Sequence, residues 1–329
     1  MEQLIPKDFN GVVSVLHNGR IFFRKAYGFA DLANQIPNEP NTKFATASAG
    51  KAFVAAGIMK RIEDTKLSME TKIGEVLDFD LRKIDPGITV RQLLNHTSGI
   101  PDYFDESIMD EYADLFRDHP NYRIRKSMDL LSFFIDKPMM YPRGDRFQYN
   151  NTGYVVLGLM IESVTGQTFD IYLDTALFKP LGMNDTGYYE LDRLPAKCAN
   201  SYIFDEQTRQ FYTKIYSVDV KGTGAGGAFT TVSDVESFWT GLSHNKAVSG
   251  EAFSLMTSPQ TAGKEYGYGF WLMKDGKTPY FQGSDPGVSF VSSYSADKGI
   301  IITIISNLGQ DVWKIHRDIY RSIVIISET

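Results

Sequence analysis

The sequence predicts an α+β fold: an antiparallel sheet built from the N- and C-terminal segments, flanked by helices, with a mainly helical region inserted between them. Three observations carry that prediction. Runs of β-branched and aromatic residues cluster at both ends of the chain, their connections are too short for a crossover helix, and the middle changes to apolar spacing of three and four.

In chain order, residues 11–16 and 20–27 read as strands joined through His17-Asn18-Gly19, whose Asn-Gly pair signals a hairpin. Residues 51–63, 127–135, 152–164 and 169–177 read as helices, with Gly166 and Gly182 placed where C-terminal caps fall. Residues 266–273, 278–282, 288–295 and 299–306 then read as an antiparallel meander. No repeat or Pro/Gly/Ser linker divides the parts. The expected organisation is one unit over 1–329, with an α/β lobe from about 1–65 plus 200–329 and a mainly helical lobe over 66–199. A cleft between such lobes is a natural place for a small ligand.

At 329 residues, with 43% apolar and 13% aromatic content, the chain can bury a large core. Its formal net charge is -6 and its charges are interleaved, which argues against nucleic acid or an anionic membrane as partner and for a small-molecule or peptide substrate. Oligomeric state is not encoded in any visible pattern. No apolar run reaches the roughly 18 residues of a membrane span. The first residues lack the basic and apolar regions of a leader, so the chain as written reads as cytoplasmic, and as extracytoplasmic if a leader has been trimmed from it. The single cysteine, Cys198, reads as an ordinary thiol.

Three Ser-x-x-Lys matches occur, at Ser48, Ser243 and Ser295. Ser295 and Lys298 straddle a turn, and Ser243 to Lys246 reads as a polar helix end. Only Ser48 opens a helix of any length, and from Ala47 to Met59 that helix is apolar apart from Ser48 and Lys51. Spacing of three puts hydroxyl and amine side by side on one face. Burial disfavours the charged form of a lysine, making it a proton acceptor for a neighbouring nucleophile. Free N–H groups at the helix start can hold an oxyanion. The competing reading is a serine N-cap followed by a lysine that reaches the surface.

Phe44-Ala45-Thr46-Ala47-Ser48-Ala49-Gly50-Lys51 resembles the nucleophile segment of class C β-lactamases, penicillin-binding proteins and their family VIII-type esterase relatives. Leu93 to Pro101 resembles the family's Leu-Leu-x-His-Thr-Ser-Gly segment, Tyr149-Asn150-Asn151 its Tyr-x-Asn motif, and Gly224-Ala225-Gly226-Gly227 its glycine-rich segment. The resemblance spans residues 11–307 and implies a β-lactamase/penicillin-binding-protein-like fold. It also implies that Tyr149 exchanges protons with Ser48, with Lys51 favouring the phenolate or sharing the proton, and that Asn151 holds Lys51 and the acyl portion of the substrate. No metal and no cofactor is implied: the five histidines lack ligand spacing, and His96 reads as structural.

The third family motif, Lys/His-Thr/Ser/Gly-Gly, falls on Phe281-Gln282-Gly283, followed by Ser284 and Asp285. The resemblance places this strand on the cleft edge, with Phe281, Gln282 and Gly283 against substrate and the Ser284 N–H as second oxyanion donor. Phe281 lacks the charge that helps bind a substrate carboxylate, and Asp285 adds a negative one. The expected enzyme is therefore a serine hydrolase for esters or amides, with weak or absent β-lactam turnover. A D-alanyl-D-alanine carboxypeptidase or β-lactamase, with the missing cation supplied by another loop, is the alternative within the class. A penicillin- or peptidoglycan-binding sensor that acylates without turning over is the alternative outside it.

Overall fold

A computed structural model gives the structure of the chain; it describes residues 1–328, and side chains for residues 1–323. Six antiparallel strands form the main sheet: β1 (Gly11–His17), β2 (Arg20–Tyr27), β3 (Trp271–Leu272), β4 (Pro279–Asp285), β5 (Val288–Ser295) and β6 (Ile300–Ser306), in the order β2-β1-β6-β5-β4-β3. The chain ends thus meet at its centre, where Gly11 pairs with Ser306 and His17 with Ile300. This is the sheet expected from the terminal segments.

Both faces of the sheet are covered, and strand alternation sorts the side chains between them. Ile300, Ile302 and Ile304 pack with Val13 and Val15 against Val312, Ile315 and Ile319 of the C-terminal helix α4 (Val312–Glu328). Ile301, Ile305 and Phe290 face the other way, onto α1 (Lys51–Glu63), α2 (Asn151–Thr165) and α3 (Val232–Ser243). Trp239 of α3 locks onto the sheet by donating its indole N–H to Ser292 Oγ at 2.9 Å. No helix among the described residues is long and apolar enough to cross a membrane.

Several expected elements take a different form. Residues 266–273 do not form one strand; only Trp271–Leu272 does. Gly269 adopts φ +83°, and the missing side chain of Gly267 lets the Met256 carbonyl come close, so the Tyr268 N–H bonds to Met256 instead of a ladder. Residues 127–135 form a 3₁₀ helix over Ser127–Phe133, and the helix from Phe169 becomes a π turn at Asp174–Phe178. Helix α4 corresponds to no expected element.

Candidate active site

Ser48 lies in a 3₁₀ turn, Ala47–Gly50, that runs directly into α1. The turn is gripped from two sides by glycines. A Cβ on Gly226 would lie 2.4 Å from the Ala47 carbonyl oxygen, and one on Gly283 would lie 2.7 Å from the Ser48 amide nitrogen and 2.2 Å from the Thr46 carbonyl. No side chain fits at either place. Ala47 is held at φ 49°, a left-handed conformation that costs a non-glycine residue about 1–3 kcal/mol and persists only where the surroundings enforce it. The enforcement includes the Gly227 N–H bond to the Ala47 carbonyl at 3.0 Å.

Lys51 is 2% exposed, and its Nζ contacts three oxygens: Ser48 Oγ at 2.9 Å, Asn151 Oδ1 at 2.8 Å and the Ala225 carbonyl at 2.5 Å. Burial pushes its pKa down to about 8, against the opposing charges of Glu106, Asp102 and Asp285. Asn151 Oδ1 and the Ala225 carbonyl can only accept. A neutral amine spends its two N–H groups on them and turns its lone pair to the Ser48 hydroxyl.

Asn151 is the first residue of α2, whose N-cap Asn150 accepts from the Gly153 N–H at 2.8 Å. Asp102, 5% exposed, accepts from the backbone N–H groups of Asn151 and Thr152 at 2.8 and 3.0 Å and from Thr152 Oγ1 at 3.1 Å. A carboxylate at a helix start is favourably placed. Burial nevertheless raises its pKa to about 6, while those hydrogen bonds and Lys51 pull it back.

Tyr149 immediately precedes this cap. Lys51 Nζ lies 5.1 Å from the centre of its ring, which stacks on Trp271 at 6.1 Å. Burial, then the charge of Glu106, lifts the phenol well above its usual range, while a hydrogen bond with Ser48 acts in the opposite sense. Burial thus works against the phenolate that a nearby lysine would favour. The His96 ring bonds to backbone as expected, Nδ1 accepting from the Asn150 N–H at 3.1 Å, and burial holds its pKa well below normal.

The third-motif residues separate. Gly283 packs on the Ser48 turn, and Ser284 and Asp285 line a cavity of about 500 Å³ that opens at Ser48. The side chains of Phe281 and Gln282 do not line it. Phe281 is 1% exposed, its ring 5.2–6.1 Å from those of Phe53, Phe238, Trp239, Phe270 and Phe290. It points to the same face as Gly283 but lies beneath α1, where a charge would be stranded among aromatics. Gln282 points to the opposite face and accepts from the Trp313 indole of α4.

The cavity wall brings in residues that sequence reasoning missed: Glu106, Asp110, Glu111, Tyr112, Lys214 and Asp219. Tyr112 donates to Asp219 Oδ2 at 3.0 Å, and burial raises the Asp219 pKa to about 7. Asp102 stands directly after the Leu93 to Pro101 segment and could have been sought there. Lys214, in Thr213-Lys214-Ile215-Tyr216, carries no local signal.

The profile of the Beta-lactamase family matches residues 6–323. Penicillin-binding protein 4* of Bacillus subtilis (strain 168) is 27% identical over 326 residues, spanning 92% of this chain and 69% of that protein. The solved structure of a penicillin-binding protein from Bacillus halodurans is 36% identical, with a TM-score of 0.91 over 96% of this chain and 97% of that one. A D-amino acid amidase from Ochrobactrum anthropi SV3, at 20% identity, superposes with a TM-score of 0.78 over 98% and 95% of the two chains, which shows the shared fold alone.

Proposed function

The chain belongs to the Beta-lactamase family, a family of serine hydrolases, and on that premise we propose that it cleaves an ester or amide through a covalent acyl-enzyme on Ser48. The supporting observation is the Lys51 amine at 2.9 Å from Ser48 Oγ, its other two contacts being obligate acceptors. Lys51 as neutral base takes the hydroxyl proton while Ser48 Oγ bonds to the carbonyl carbon. The Ser48 and Ser284 N–H groups, on either side of Gly283, hold the oxyanion. Tyr149, protonated at rest, gives its proton to the departing alcohol or amine and recovers one from Lys51. Water then attacks the ester, its proton returning through the same groups, and releases the acid and free Ser48.

Phe281 stands where the family motif has a cation, and it lies in the core. A substrate carboxylate finds no positive charge on that strand, only that of Asp285, so β-lactams and D-alanyl-D-alanine peptides, which present a carboxylate there, are poorer substrates than esters or amides without one at that place. The penicillin-binding relatives keep the carboxypeptidase alternative in view. The test is intact-protein mass spectrometry over time with a fluorophosphonate, an activated neutral ester, a penicillin and a D-alanyl-D-alanine peptide. A transient Ser48 adduct with the ester and a slow or absent one with penicillin are expected. A lasting adduct with the ester or the peptide would identify a binder, no adduct with any reagent would overturn the assignment, and rapid nitrocefin turnover lost in Ser48→Ala would overturn the substrate reading.

A further inference from the structure

Lys214 is 5% exposed and lines the cavity beside Ser48, yet among the described residues its ammonium makes no hydrogen bond and no carboxylate comes within 4.0 Å of it. The two acids whose charges act on it, Asp285 and Asp219, line the same cavity; Lys214 also lines a second, smaller cavity with Leu191, Leu194 and Phe229. Asp219 accepts from Tyr112 on one oxygen, while its other oxygen is buried without a partner. Neither Asp285 side-chain oxygen meets a donor among the described residues. A buried charge without a partner is destabilising by several kcal/mol. The Lys214 ammonium and one Asp219 oxygen lack a partner among the described residues, the partly exposed Asp285 carboxylate lines the same cavity, and together they leave a site whose partners are missing.

We propose that Lys214, Asp219 and Asp285 form a subsite for a zwitterionic α-amino-acid head group, its carboxylate on Lys214 and its ammonium between the two aspartates. Neither half alone satisfies the wall. A lone carboxylate meets Lys214 but is repelled by Asp285 and Asp219, and a lone amine meets the aspartates but leaves Lys214 unpaired. The inference rests on the Ser48 hydrolase reading for its meaning: the scissile ester or amide belongs to a molecule that carries a free amino-acid end.

The subsite can be tested without turnover. Norleucine (each enantiomer), hexanoate and pentylamine, which share one alkyl chain, are titrated into the purified protein and followed by ligand-observed NMR. One norleucine enantiomer is expected to bind at least about tenfold more tightly than either half-ligand. Lys214→Met should reduce it to the level of pentylamine, with Lys214→Arg keeping most of the preference; Asp219→Asn with Asp285→Asn should reduce it to the level of hexanoate. Circular dichroism checks that each variant is folded. Pentylamine binding as well as norleucine, hexanoate binding as well, or no saturable binding by any of the three would overturn the proposal. Fluorophosphonate labelling of Ser48 in the same samples reports separately on the hydrolase reading, so either can fail alone.

Discussion

Of two buried lysines, Lys51 contacts Ser48 and Lys214 lines the cavity that Ser48 also lines, and they live in opposite circumstances. Lys51 is fully engaged: its three contacts are within 2.9 Å, and its partner Asn151 also donates to the Phe104 carbonyl at 3.1 Å. Lys214 makes no hydrogen bond or ion pair through its ammonium among the described residues. Reaction machinery must be positioned before substrate arrives, because geometry fixed in advance costs no reorganisation during reaction. A recognition group gains most when its partner is supplied by the ligand, since the unpaired charge then discriminates against anything that fails to meet it. The proposed chemistry rests on groups paired in advance, Lys51 and Asn151, and the proposed selection on Lys214 and one Asp219 oxygen, which lack partners among the described residues.

The largest expected effect lies on the engaged side. Ser48→Ala should lower kcat/KM for an activated ester by about 10⁴-fold or more and abolish the fluorophosphonate adduct; retained activity would move the nucleophile elsewhere. Lys51→Met should cost about 10²–10⁴-fold. In the intact protein kcat/KM should rise with pH and level off above about 8, because the neutral amine is the base and burial has brought its pKa there. A flat profile across that range would remove Lys51 from the proton path.

Gly283→Ala probes the packing beneath the machinery. The new methyl would sit 2.2 Å from the Thr46 carbonyl, so strand β4 or the Ser48 turn must shift. About 1–3 kcal/mol of destabilisation and a fall in ester hydrolysis are expected, and full activity at unchanged Tm would show that the two do not pack so closely.

The same substitution at the two lysines separates them in stability. Lys51→Met strands the buried Asn151 Oδ1 and Ala225 carbonyl, and each lost partner costs about 1–3 kcal/mol, so Tm should fall. Lys214→Met removes an unpaired buried charge, and Tm should rise by about 2 °C. Differential scanning calorimetry decides it, and a falling Tm at Lys214→Met would mean that the lysine has a structural partner.

The smallest effect concerns Asp102. Its negative charge raises the Lys51 pKa, so Asp102→Asn should move the alkaline rise of kcat/KM to lower pH. An unmoved inflection would limit Asp102 to holding the start of α2.

Local patterns were legible where local geometry decides them. The β1–β2 hairpin followed from Asn18-Gly19, and the Ser48–Lys51 contact from helical spacing of three. Tyr149 and Asn151 came from a motif, although Asp102, which accepts from the Asn151 N–H, and Ala225, whose carbonyl accepts from Lys51, lie far away in the chain. Helix α4 was missed despite apolar positions at 312, 315, 319 and 323, which repeat at helical spacing; its isoleucines read equally well as strand formers. The 266–273 strand was overread because aromatic content hid the turns made by Gly267 and Gly269.

The sequence by itself determined the α+β class, the sheet from the chain ends and the identity of the hydroxyl and amine that meet, because helical and strand periods place near neighbours without help from the rest of the fold. Only the tertiary structure decided that Phe281 lies under α1 instead of on the cleft, that burial works against a Tyr149 phenolate, and that Lys214, Asp219 and Asp285 line one cavity. Those outcomes depend on how distant segments pack and how completely they exclude water, and neither is carried by the spacing of residues along the chain.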